Sequence, residues 1–162
     1  MSRRPLLLAM LLLLVSLQAA CGSDSTKSAA GHLSVENVRV DRPPVPDQAA
    51  MYFVIDNGTG SADTLRSVRS NVATEVTMHE SRVQGGTSKM VERPSVPVPA
   101  RSRVTFEPGG LHVMLEGLHR PLEVGDSFDV TFTFARAGEV TARATVVSPG
   151  ANTDHAQEDH HG

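Results

Sequence analysis

From His32 onward, apolar and polar residues alternate in short runs broken by turn residues, the period-two pattern of strands with one buried face. Leu33 to Val40 alternates. Ala49 to Ile55 is a strongly apolar run stopped by Asp56-Asn57-Gly58-Thr59-Gly60. Thr64 to Arg69 and Val72 to Glu80 follow. A turn at Gln84-Gly85-Gly86 then sends the chain back through Lys89 to Glu92. Pro94, Pro97 and Pro99 mark an edge or a loop, because proline cannot donate to an internal ladder. Arg103 to Phe106 and Leu111 to Leu115 flank Pro108-Gly109-Gly110, and Glu116 to Asp126 reads as a loop. In the last third, Phe128, Val130, Phe132 and Phe134 fall on one face, with Val140 to Val147 as the expected hairpin partner. No amphipathic helix emerges. Eight or more short strands at this spacing predict an all-β, antiparallel Greek-key sandwich or barrel over residues 32–148.

The ends differ from this middle. Residues 1–20 read as an export signal: Arg3 and Arg4 form its charged start, and Leu6 to Val15 is an apolar run too short to span a bilayer well. Ala19-Ala20-Cys21 resembles a bacterial lipoprotein cleavage box, in which Cys21 becomes the acylated first residue. Gln18 departs from that pattern where Leu is usual, and the alternative is a secreted protein with a free N-terminal thiol. Small polar residues, together with Cys21, fill 21–31 as a tether. Residues 149–162 form a polar tail carrying His155, His160 and His161 among acids.

Composition narrows the chemistry. The formal charge is −3, and without Arg3 and Arg4 the remainder is more acidic still. No basic stripe is present, so nucleic acid is not an expected partner. Aromatic residues are few, Tyr52 and five Phe with no Trp, so the core is expected to be mostly Val, Leu and Ile. Cys21 is the single cysteine, so the strand region offers neither a disulfide nor a thiolate metal site.

Soft donors are nevertheless present, in one stretch. His79 and Met90 are separated by ten residues, Met90 and His112 by twenty-one, and His112 and Met114 by one. On a strand, His112 and Met114 point to the same face. Imidazole and thioether suit copper(I), whereas carboxylates do not. A thioether has no proton to lose, and a site without thiolate holds its ion loosely enough to surrender it. The four residues predict a copper(I) site carried on two hairpins. Taken singly, each has a plainer reading: His79 as a surface histidine, Met90 and Met114 as core, His112 as a satisfied polar group. Met78 should face away from His79, Met51 belongs to a core strand, and His119 and His32 read as solvated.

The order His, ten residues, Met, twenty-one residues, His-x-Met resembles the PCuAC family of periplasmic copper chaperones. AAMYFVIDNGTGSADTLRSV, VATEVTMHES and PGGLHVMLEGLHRPLEVGD are similar to that family's strands, over about residues 33–148. The resemblance implies a cupredoxin-like β-sandwich with His79, Met90, His112 and Met114 as Cu(I) ligands. It also implies delivery of copper to cytochrome c oxidase, through its copper-bearing subunit or another chaperone, at the outer face of the cytoplasmic membrane or in the periplasm. Some members of that family carry a metal-binding tail. Here His155, His160 and His161 with their neighbouring acids form either an N/O set suited to Cu(II) or a solvated extension.

Two functions compete on the sequence alone: a lipid-anchored copper chaperone with a dedicated partner, and a copper buffer that protects against copper stress without one. No acid–base pair, nucleophile motif or cofactor fingerprint accompanies the ligands, so an enzyme is not expected.

Overall fold

A computed structural model describes residues 31–150. The leader, Cys21, nearly all of the tether and the tail histidines His155, His160 and His161 lie outside the described residues. Within them the chain is all-β with no helix. Its ten strands are β1 (Leu33–Asp41), β2 (Gln48–Asn57), β3 (Asp63–Ser70), β4 (Ala73–Gln84), β5 (Thr87–Glu92), β6 (Val96–Val98), β7 (Ser102–Phe106), β8 (Leu111–Leu118), β9 (Ser127–Phe134) and β10 (Gly138–Val147).

The strands hydrogen-bond in the order β5-β4-β8-β7-β2-β1-β10-β9-β3-β6. Strand β2 is shared at one edge. Its first half pairs with β8, from Gln48↔Glu116 to Met51↔Val113, and its second half with β7, from Phe53↔Phe106 to Asn57↔Ser102. Strands β1 and β10 run parallel, and β3 also lies against β4, so the sheet curls over a single core.

The alternation in β9 behaves as its sequence requires: Phe128, Val130, Phe132 and Phe134 are all buried. Their partner is β10, paired from Gly138↔Phe134 to Thr145↔Ser127. Val, Leu and Ile supply much of the core, but its centre is aromatic. The Phe53 ring stacks on Phe106 at 4.1 Å and meets Phe132 edge-on at 4.8 Å. Few aromatics suffice because all five Phe are spent inside.

Two local expectations need correction, and a third is met. The alternation in β1 changes phase: Leu33 and Val35 pack on the core from one parity, Val38 and Val40 from the other. A bulge between Glu36 and Arg39, with Asn37 at φ 53°, absorbs the extra residue. Strand β8 continues past Leu115 to Leu118, because β4 pairs with it as far as Ala73↔Leu118. Gly117 carries it through at φ 63°, where a Cβ would come within 3.0 Å of the Thr74 hydroxyl. The proline stretch is an edge, as expected: it holds the short strand β6 at the end of the sheet, with Pro97 opposite Thr64, which spares the ladder an internal proline.

A buried carboxylate ties two turns together. Asp63 accepts the backbone N–H groups of Thr64 at 2.7 Å, Arg136 at 2.9 Å and Ala137 at 2.9 Å. Burial alone raises its pKa, but these amide donors outweigh burial and hold it below the usual carboxylate value. A depressed folded-state pKa stabilises the fold above the unfolded-state value, about 3.9, and that contribution is lost as pH falls through the folded-state value. Asp63→Asn is therefore expected to lower the urea midpoint at pH 7. It should also flatten the loss of stability below about pH 4 relative to the parent, measured as urea midpoints across that range.

Candidate metal centre

The centre is built on three adjacent strands. Strands β4 and β5 form a hairpin closed by Gly85-Gly86, both at positive φ (61° and 78°), with Gln84 opposite Thr87. This two-residue turn of primed type matches strand twist and demands glycine-like conformations. It places Met90 opposite Ser81 and Glu92 opposite His79. On the other side of β4, antiparallel β8 sets His79 opposite His112 and Thr77 opposite Met114.

Directly opposed residues in an antiparallel pair point to the same face. His79, Met90, His112 and Met114 therefore share one face of the β5-β4-β8 ribbon, together with Thr77, Ser81 and Glu92. Of the intervening residues, Met78, Val113 and Leu115 are buried. Met78 and Met51 are core, as their strand parity predicts, while His32 and His119 are exposed. The ligand strands are not two hairpins. Strand β8 touches β7 through a single parallel pair, Phe106↔Leu111, and reaches the site by lying beside β4.

The two imidazoles lie near-parallel, with ring centroids 5.8 Å apart and planes at 21°. His112 is buried at 5% exposure, and its Nδ1 lies 3.0 Å from the Gly110 carbonyl oxygen. His79 is half-buried, and its Nε2 lies 2.8 Å from the Thr77 hydroxyl. Met114 is half-buried. Met90 is 56% exposed, which excludes the core reading for it. It lies on β5, an edge strand whose residues are all exposed.

This donor set fits a soft ion. Two imidazoles and two thioethers share the face, and among the described residues no group of three or more His, Cys, Asp and Glu is gathered. Glu92 adds one carboxylate beside His79, which the spacing alone did not single out.

Two further features escaped the sequence. Thr77 could have been found, since period two places it on the face of His79. The second feature could not: a groove of about 360 Å³ opens beside Met114, lined among others by Pro43, Pro44, Val45, Ala50 and Tyr52. The Tyr52 ring is buried beneath the Arg39 guanidinium, 5.1 Å from its centroid. Burial, and then the nearby Asp41 carboxylate, raise the phenol's pKa, with Arg39 opposing.

Comparison with known proteins adds a family. A family model described as "Putative lipoprotein LpqE-like" matches residues 33–146. "Putative lipoprotein Lxx21020" of Leifsonia xyli subsp. xyli is 36% identical over 88 residues, which is 54% of this chain and 52% of its own. The chain spans about half the length of the curated relatives it matches. Among solved structures, the copper-bound PCuAC domain from PmoF2 superposes with a TM-score of 0.62 at 29% identity, covering 74% of this chain and 96% of that domain. The Cu(I) form of DR1885 from Deinococcus radiodurans superposes with a TM-score of 0.59 at 29% identity, covering 77% of this chain and 86% of that one. The cupredoxin-like fold expected from the sequence is thus the fold observed.

Proposed function

This chain belongs to the LpqE-like family and has the PCuAC fold, and on that footing we propose that it is an extracytoplasmic copper chaperone. It binds Cu(I) through His79, Met90, His112 and Met114, and delivers the ion to the copper centres of cytochrome c oxidase, directly or through another chaperone. The ion is cargo. The observation that carries the reading is the direct cross-strand pairing of His79 with His112, with both thioethers on the same face. Copper in the similar PmoF2 and DR1885 structures supports it.

Softness and release follow from the same donors. Thioethers stay unprotonated in acid and favour the reduced ion, and without thiolate the ion is held loosely enough for exchange with a partner's ligands. The tail histidines His155, His160 and His161 would add an N/O set for Cu(II). Export and anchoring rest on the leader and on Cys21, and the lipoprotein descriptions of the family and of the Leifsonia relative support them.

Met90→Ala and Met114→Ala are each expected to weaken Cu(I) binding by more than about tenfold, ~1.4 kcal/mol, in competition with a Cu(I) chelator. For the exposed Met90 the thermal midpoint should stay nearly unchanged. Deleting the gene should lower the copper content of the oxidase under copper limitation. Full oxidase metallation together with copper sensitivity would instead identify a buffer. Cys21→Ser should move the protein from the membrane to the soluble fraction, read by fractionation and immunoblot; persistence in the membrane would remove the anchor.

A further inference from the structure

The facing histidines are not held alike. The Gly110 carbonyl 3.0 Å from His112 Nδ1 can only accept a hydrogen bond. His112 therefore carries its proton on Nδ1 and keeps the Nε2 lone pair open. His79 is held at the other nitrogen, with Nε2 2.8 Å from Thr77 Oγ1. No described residue hydrogen-bonds His79 Nδ1 or His112 Nε2. Thr77 sits two positions before His79 on the same face, directly opposite Met114. Its β-branched side chain is stiff at χ1, so its oxygen is a fixed post.

A histidine that holds a metal through one nitrogen generally donates the N–H of the other to an oxygen, which sets its tautomer and aim. The Gly110 carbonyl does this for His112. We propose that Thr77 is the positioning residue for His79: its hydroxyl oxygen accepts the Nε2–H, so that Cu(I) is taken by Nδ1 of His79 and Nε2 of His112. This inference rests on the copper reading above. The opposite arrangement, with the hydroxyl donating to Nε2, would leave the metal to break a 2.8 Å hydrogen bond before it could use that nitrogen. In the proposed arrangement both rings present an open donor as they stand.

The test uses the full chain. Cu(I) is titrated against a chelator into the parent, Thr77→Val, Thr77→Ser and His112→Ala, with thermal midpoints recorded for each. Thr77→Val keeps the side chain's shape and removes the oxygen, and is expected to weaken Cu(I) binding about tenfold. Thr77→Ser should restore most of that loss. Long-range ¹H–¹⁵N spectra of the Cu(I)-loaded parent should report the metal on Nδ1 of His79. Parent-like or tighter binding by Thr77→Val, or metal on Nε2 of His79, overturns the assignment. If Thr77→Val does not fold, the parent's spectrum decides. Retention of Cu(I) by His112→Ala would bring down the copper reading and this inference with it. Loss in His112→Ala beside unchanged binding in Thr77→Val brings down only the role of Thr77.

Discussion

The antiparallel register between β4 and β8 is the constraint on which the rest depends. One alignment puts His79 opposite His112 and Thr77 opposite Met114 on the outer face, and Met78 opposite Val113 on the inner. A slip of one residue would turn His79 into the core and Met78 out to solvent, because strand side chains alternate strictly. The apolar partners therefore set the position of the polar ones. Met78, Val113 and Leu115 are buried, and β2 fixes β8 from its far side through Met51↔Val113. The outward side chains contribute little to choosing that register, yet it decides what they can hold.

Placing donors on strands has a chemical consequence. A cluster on loops would be re-ordered each time an ion left, at a cost in conformational entropy. Here the backbone under every donor is already paired. Exposure is graded across the ribbon, from buried His112 through half-buried His79 and Met114 to Met90, more than half exposed on the edge strand. On the copper-carrier reading, the inner imidazole anchors the ion, and the outer thioether is the ligand an incoming partner reaches first. On the opposite flank lies the groove beside Met114, walled by Pro43, Pro44 and Val45.

The places where the strand pattern strays from simple alternation also have local causes. Asn37 accepts a left-handed conformation, so β1 can bury both parities of its apolar residues. Gly117 takes a left-handed φ and lets β8 pass beneath Thr74, where a Cβ would sit tightly, 3.0 Å from the hydroxyl. Asn57, fully buried, donates to the carbonyls of Ser61 and Pro99 at 2.9 Å each, and its own carbonyl accepts from Thr59. It thereby fastens the turn after β2 to the end of β6. These are polar or conformational solutions to problems that apolar packing creates.

Much of this was legible in the chain itself. Period-two patterning is a local property, so the strands of β2, β9 and β10, the Gly85-Gly86 turn and the inward side of Met78 could be read directly. The spacing of His79, Met90, His112 and Met114 could be read as a pattern, and their softness as a property of the donor atoms. The neighbours of a residue across the sheet are set by chain segments far away in sequence, and no local period encodes them. Only the assembled sheet decided that β8 lies beside β4 rather than in a hairpin with β7, that Met90 stands on an exposed edge, and that Glu92 faces His79. The same holds for the Thr77 hydroxyl at His79 Nε2 and for the groove beside Met114. These contacts follow from the register and curl of the sheet, which the whole core determines at once.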